Sequence, residues 1–480
     1  MNTLSYLELW RALLPEACLT FGALLLLGLD LAAPAGRDAA TRRSLATVLA
    51  LLAVAAAAWA AVRAGTAGPV FGGVLTLDRL TLFTRLGVFA LALLTIALAG
   101  NLSRLPNPAE YVALLLFATV GFSLMAASNQ LLLAFLAVEL ASLSLYVLAG
   151  FEKSRPESAE AGLKYFLFGG VSAAFLLFGF SLLYGLTGSI ALPEIARELA
   201  IQPPSALLVV ALVMIFVAFG FKAAAAPFHL WAPDVYEGAP AGSAALIASA
   251  SKLAGIALFA RLLWSGVGAV QAPYWFPILA ILAAVSLILG NIAALAQSNV
   301  RRLLAYSAIS HAGALLLGVM VAGRSPGPVL YYALTYGLAT VGAFGVIAAL
   351  ESDGRCQRLE DLAGLHRRSP FLAGCLAVYI LSLAGIPPLA GFVGKFVVFA
   401  EALRIGGLSA SAGWLAFLAI AMSAVGLYYY LLILKQAFVA APLAGASRPA
   451  PPPAARLALG LAALGILALG LAPGLVLGAF

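Results

Sequence analysis

Apolar runs of about 20 residues recur from one end of the chain to the other, and the charged residues gather mostly in the short segments between them. A run of that length crosses a hydrocarbon core of about 30 Å as a helix, because its backbone N–H and C=O groups are then paired within the run. About fourteen spans are predicted. They centre near Phe21, Ala56, Phe89, Leu116, Glu139, Leu176, Phe219, Lys252, Leu282, Ala312, Leu338, Pro387, Leu427 and Leu464. The runs around Phe219 and Pro387 are long enough to be broken helices, and the spacing leaves no room for a large soluble domain. The expected fold class is an all-α integral membrane protein.

Composition agrees with this solvent. With 64% hydrophobic and 10% charged residues over 480 positions, there is too little polar surface to coat a soluble globule. Taking alternate loops, one side carries Arg37, Arg42, Arg43, Arg104, Lys153, Arg155, Arg301, Arg302, Arg355, Arg358, Arg367, Arg368, Arg448 and Arg456. The other carries Arg11, Arg63, Arg79, Arg197, Arg261, Arg324 and Arg404. The positive-inside rule puts the richer side in the cytoplasm and, with an even span count, both termini outside. The net charge of +8 reflects this bias, and no basic cluster is long enough for nucleic-acid binding. The first apolar run precedes the small residues "APAG", but Arg11 is the only basic residue ahead of it and Glu8 and Glu16 flank or interrupt it. It reads as a retained span rather than a cleaved signal.

Metal and redox chemistry have no sequence signature here. Cys18, Cys356 and Cys375 show no C-x-x-C spacing, and His229, His311 and His366 lie on separate segments without a ligand-type partner one helical turn away. Each histidine reads first as a structural, hydrogen-bonded group. His311, within "LLAYSAISHAGALLLG", is the one kept as a candidate proton carrier.

Ionisable residues inside spans carry more information. Glu139, Lys222, Lys252 and Lys395 each lie about ten residues from a span end, beyond easy snorkelling, where a charge costs about 2.5–3.5 kcal/mol on insertion scales. They should face the protein interior. Structural ion pairs are the bland explanation, but three lysines and one carboxylate leave at least two ammonium groups without a countercharge among them. Burial disfavours a lysine's charged form and a nearby carboxylate favours it, so changing the Glu139–Lys222 separation is in principle a proton switch. Prolines adjoin two of the lysines. Pro227 cannot donate to the carbonyl of Ala223, and Pro387 with Pro388 leave those of Leu383 and Ala384 without helical partners. Such backbone is tolerated at membrane depth only inside protein or beside a water-filled cavity, and matching breaks in two halves are the sequence sign of an inverted-repeat transporter.

The stretches "PFHLWAPDVYEGAP", "NVRRLLAYSAISHAG" and "SLAGIPPLAGFVGKF" resemble the antiporter-like proton-channel subunits of respiratory complex I. The "PDVYEGAP" form is closer to the N branch than to L or M, and a lysine at 395, where M-type relatives have glutamate, also favours N or L. The resemblance implies fourteen helices: three amino-terminal spans in 1–108, inverted five-helix repeats in 109–263 and 264–438, and a last helix in 439–480. It implies that Glu139 modulates Lys222 on a broken seventh span, that Lys252 is the central relay on the eighth, and that Lys395 is the terminal carrier on a broken twelfth. Lys164, at the start of the sixth, is an accessory candidate, with helix-end snorkelling as its alternative. Where the family usually continues "YEGAP" with a threonine–proline pair, this chain reads "AGSAALIASASKLAG".

By the same resemblance no cofactor is expected in this chain, and NADH, FMN, iron–sulfur clusters and quinone belong to other parts of the complex. The implied partners are further antiporter-like subunits, small helical subunits and the bilayer of a bacterial inner membrane. The expected function is proton translocation coupled to quinone reduction elsewhere. A cation/proton antiporter subunit and a proton-inert scaffold are the alternatives.

Overall fold

The computed structural model describes residues 6–32, 39–99, 107–201, 203, 205–351, 356–405, 410–443 and 448–480. Arg37, Arg104 and Arg355 of the charge pattern lie outside the described residues. Among the described residues, thirteen helical stretches are long and apolar enough to cross a membrane. The remaining crossing, the twelfth, is divided between Pro370–Ala384 and Ala390–Ile405, which brings the count to the fourteen expected from hydropathy. The first six spans are Tyr6–Leu31, Ala39–Ala64, Arg79–Ala99, Pro108–Ala127, Leu131–Ala149 and Pro156–Thr187. The seventh is Ala206–Ala223, and the ninth to eleventh are Ala272–Leu295, Val300–Val321 and Gly327–Glu351. Ala410–Phe438 and Pro453–Leu471 are the last two.

The eighth span, Ala241–Val267, and the eleventh are enclosed by the others. The eighth can be central because "AGSAALIASA" offers almost only small side chains, which let neighbouring backbones approach closely. A short antiparallel hairpin, Gly68–Val70 with Leu75–Leu77, joins the second and third spans at one end of the bundle.

Both expected helix breaks are present. The seventh span stops at Ala223, Ala224 turns left-handed at φ 58°, and a short helix resumes at Trp231–Gly238. The opened backbone is satisfied from outside the helix: Ala226 N–H donates to Ser286 Oγ at 2.9 Å and Trp231 Nε1 to Phe221 O at 3.2 Å. In the twelfth span the turn is made by Gly385 at φ 85°, where a side chain would be strained, and Gly391 N–H reaches Ser382 Oγ at 3.1 Å. A third break has no proline behind it. The eighth span is interrupted at Ser249 (φ −115°, ψ −83°), between Ala241–Ala248 and Ala250–Arg261, and Ser249 Oγ donates to Ala245 O at 2.6 Å. This lies just ahead of Lys252, in the stretch that departs from the family's usual threonine–proline pair.

The fourth and fifth spans meet at Gly121, where an added Cβ would fall 2.6 Å from Ala141 N and 2.9 Å from Ala137 O. The ninth and tenth meet at Gly290 in the same way, 2.4 Å from Ser310 N and 2.9 Å from Tyr306 O. All three positions of the second contact are displaced from the first by the same number of residues. At that displacement Glu139 corresponds to Ala308, and Ser142 to His311.

Candidate functional site

Lys222 sits in the last turn of the seventh span, beside the break, with 6% of its surface exposed. Its ammonium donates to Ser142 Oγ at 3.0 Å, and Ser142 gives its own hydrogen to Val138 O at 2.6 Å, which leaves its oxygen free to accept. Glu139 is half-buried on the fifth span and faces Lys222 across a cavity lined also by Ser142, Tyr146 and Ser172. The cavity measures about 10 Å³, the size at which a single water fits. Among the described residues no ion pair closes between the two.

Lys252 is 1% exposed and donates to the carbonyl of Ala308, in the tenth span, at 2.7 Å. The two lysines share the lining of a void formed with Phe219, Gly255 and Phe259, and its volume is about 0 Å³. The small residues of the eighth span therefore serve close packing here rather than hydration. Gly255 allows the approach, since a Cβ there would come within 3.3 Å of Lys222 Cγ. On its other side Lys252 Nζ lies 5.3 Å from the centre of the Tyr336 ring, and that ring lies 4.8 Å from the ring of His311.

His311 is buried in the tenth span and lines a second cavity of about 10 Å³ with Lys395, Tyr332, Tyr430 and Asn291. The part-buried Lys395 donates to Leu383 O at 3.0 Å and Ala384 O at 3.2 Å. These are the two carbonyls that Pro387 and Pro388 deprive of helical partners, so the break makes the lysine's binding site. Glu139, Lys222, Lys252, His311 and Lys395 thus form one continuous row across the bundle, passing from cavity to dry contact to cavity.

Lys164 is not part of that row. It lies 37% exposed, 2.5 Å from Asp234 Oδ2 and 2.6 Å from Glu160 Oε1. Its role in the structure is to hold the segment after the seventh-span break. Asp234 Oδ1 also meets Arg302 at 2.7 Å, and Arg302 meets Glu237 at 2.8 Å. The acidic residues of "PDVYEGAP" therefore fasten this segment to the start of the tenth span. Partial burial raises the Asp234 carboxyl, but its hydrogen bonds to Lys164 and Arg302 outweigh that and hold it below the usual carboxylate range. A lowered folded-state value contributes stability that is complete above about pH 4 and is lost as the pH falls further. Asp234→Asn is expected to cost about 1 kcal/mol and to flatten that acid limb, measured by thermal unfolding of the purified protein between pH 3 and 7.

Sequence reasoning missed several buried polar groups. Glu16 and Arg85 form an enclosed ion pair at 2.7 Å, with Ser123 at 2.5 Å from the same carboxylate oxygen. Arg261 is held by both oxygens of Asp78 at 2.8 and 2.9 Å. Arg85 sits only a turn or two into its helix and reads as a flank, and Glu16 reads as an interruption of the first run. Their pairing is tertiary and leaves no periodic trace. Ser142, Tyr332 and Tyr430 were also invisible, because a serine or tyrosine in an apolar span looks like packing.

A family model described as "NADH:quinone oxidoreductase/Mrp antiporter, TM" matches residues 128–427, a stretch that includes every member of the row. NADH-quinone oxidoreductase subunit N 2 of Acidobacterium capsulatum is 47% identical over 99% of this chain and 99% of its own. The chain belongs to this family. Another member, NADH-quinone oxidoreductase subunit N of Chloroflexus aggregans, is 40% identical over 85% of this chain and 84% of its own. In a solved structure titled respiratory complex I from Thermus thermophilus with bound aureothin, one chain superposes with a TM-score of 0.82. It is 37% identical and covers 97% of this chain and 98% of its own. A chain of the Mrp complex from Dietzia has a TM-score of 0.84 at 22% identity, covering 99% of this chain and 96% of its own, and shows a shared fold. Like its family, the protein is a multi-pass membrane protein.

Proposed function

We propose that this chain is the N-type, proton-translocating membrane subunit of a bacterial NADH–quinone oxidoreductase. One observation carries the reading: the three mid-membrane lysines are held by neutral acceptors, a hydroxyl for Lys222 and backbone carbonyls for Lys252 and Lys395. A neutral amine keeps N–H donors for the same acceptors, so each lysine can lose and regain a proton without leaving an orphaned group. A scaffold needs no such arrangement, and buried structural charges are normally paired.

In this reading Glu139 sets the charge next to Lys222, Lys252 passes the proton on, and Lys395 exchanges it at the far end. Redox chemistry with NADH, FMN, iron–sulfur clusters and quinone takes place in other subunits. Further antiporter-like and small helical subunits are the partners, in the inner membrane. The glycine contacts at Gly121 and Gly290 support two repeats, within 109–263 and 264–438. Five spans in each would make the second enter the membrane from the opposite side.

Purifying the tagged chain under mild detergent tests this reading against the antiporter alternative. Co-migration with flavin and iron–sulfur subunits and NADH-driven proton uptake in vesicles are expected. Co-migration with antiporter subunits alone, and sodium-dependent proton exchange without NADH oxidation, would replace it. Orientation has its own test. Arg79 donates to Ala479 O at 3.0 Å, so the carboxy terminus lies at the arginine-poor end. A reporter fused after Phe480 is expected on the periplasmic side, and cytoplasmic activity would reverse the orientation.

A further inference from the structure

Three aromatic rings lie on the arginine-poor side of the dry contact between Lys222 and Lys252. The seventh span runs away from that end of the bundle and the eighth runs back to it, so Phe219 lies one turn and Phe216 about two turns to that side of Lys222, and Phe259 two turns to that side of Lys252. Phe219 and Phe259 stack with ring centres 4.5 Å apart and planes at 13°, and Phe216 meets Phe259 edge-on at 5.4 Å and 85°. All three are buried. Besides the lysines, the shared void is lined by Phe219, Ala223, Gly255, Ile256 and Phe259, none of which offers a side-chain hydrogen-bonding group. A buried water needs two to four polar partners, and this lining does not supply them.

An exposed ion pair lies close beyond the rings. Arg261 is on the same helix as Lys252, about 13 Å further at 1.5 Å per residue, and it is held by Asp78, whose side chain is 39% exposed. On the Lys252 face of that helix Gly255, Ile256 and Phe259 intervene. The Lys395 cavity is lined quite differently, with Asn291, Ser310, Tyr332 and Ser423 among its walls. Water is therefore supported at Lys395 and opposed at the lysine contact.

We infer that Phe216, Phe219 and Phe259 seal the Lys222–Lys252 contact from the arginine-poor face, so that a proton on Lys252 continues to Lys395 instead of discharging directly beside Asp78 and Arg261; the inference deepens the proton-relay reading above and rests on it. Removing a ring admits water and opens that shorter route. In vesicles with an acidic lumen on the arginine-poor side, a lumenal proton then crosses the vacated space to the neutral amine of Lys252. Lys252 passes a proton to the neutral amine of Lys222, and Lys222 passes one through the Glu139 cavity to the outer buffer. Each group ends as it began, with one proton moved.

The test uses the assembled complex in vesicles, with a pH gradient imposed by dilution, valinomycin and potassium to carry the compensating charge, and no NADH. Phe219→Ala and Phe259→Ala are each expected to speed decay of the gradient at least threefold over the wild type, and to lower NADH-driven uptake per electron. Phe259→Leu refills most of the space with apolar atoms and should restore slow decay. Adding Lys252→Met to either alanine variant should abolish the fast decay, since the route then lacks its carrier. A variant that merely loosens the bundle would leak without Lys252 as well. Wild-type decay in both alanine variants, or fast decay that survives Lys252→Met, would overturn the inference. Should neither alanine variant assemble, Phe219→Val removes the stacked face but keeps an apolar side chain, and at least a twofold faster decay is expected; wild-type decay there would overturn the inference equally. Lys395→Arg is measured alongside. If it loses NADH-driven uptake while the seal variants hold the gradient, only this inference fails, whereas full uptake in Lys395→Arg removes the underlying reading.

Discussion

Glutamine at position 139 is expected to leave the subunit inserted and assembled while cutting proton uptake per electron by more than half. The side chain is half-buried and among the described residues closes no ion pair, so the amide fits the same space without orphaning a bound cation. What it removes is the charge facing Lys222 across the cavity. Two unit charges a few ångströms apart at an effective dielectric of about 20 interact by several kcal/mol, enough to shift a protonation equilibrium by orders of magnitude. With glutamine, movement of this side chain towards or away from Lys222 no longer changes that equilibrium. The measurement is NADH-driven proton uptake in vesicles, normalised to electron flow. Full uptake in Glu139→Gln would reduce the carboxylate to a space-filling role.

Much of this site was legible because the bilayer makes polar residues conspicuous. Glu139, Lys222, Lys252 and Lys395 stand out against apolar runs, and Pro227, Pro387 and Pro388 mark their breaks directly through the missing N–H. The partners were not legible. Ser142 and the carbonyls of Ala308, Leu383 and Ala384 become acceptors only when spans distant in sequence pack together. The break at Ser249 has no proline and arises in a run of small residues whose backbone is enclosed on all sides. Lys164, near a span start, reads either as an accessory or as a helix-end snorkelling lysine, and its ammonium is held by Glu160 and Asp234 outside the row.

In the proposed two-repeat arrangement the halves solve one problem differently. In the first, a carboxylate and a serine face the lysine; in the second, the corresponding positions are Ala308 and His311, and two backbone carbonyls hold Lys395. A carboxylate can bias a neighbouring ammonium by moving, whereas carbonyls fixed by a helix break cannot. On the proposed relay, this suits the first half to switching and the second to exchange.

Lys395→Arg separates a carrier from a structural charge. The ammonium caps the carbonyls of Leu383 and Ala384, and a guanidinium has more N–H donors with which to do so. A purely structural cation would tolerate the change. Arginine does not release its proton, because its pKa lies above about 12. The expected result is a complex that assembles and oxidises NADH but loses most proton uptake per electron. Crowding is the competing cause of loss, since the lysine stem passes close to Gly385, where an added Cβ would lie 3.1 Å from Lys395 Cδ. Lys395→Gln controls for it, being smaller, uncharged and still able to donate to one carbonyl. If Lys395 carries protons, both variants fail alike, one unable to give up a proton and the other unable to take one. If arginine pumps normally and glutamine does not, the position needs only positive charge, and Lys395 leaves the relay.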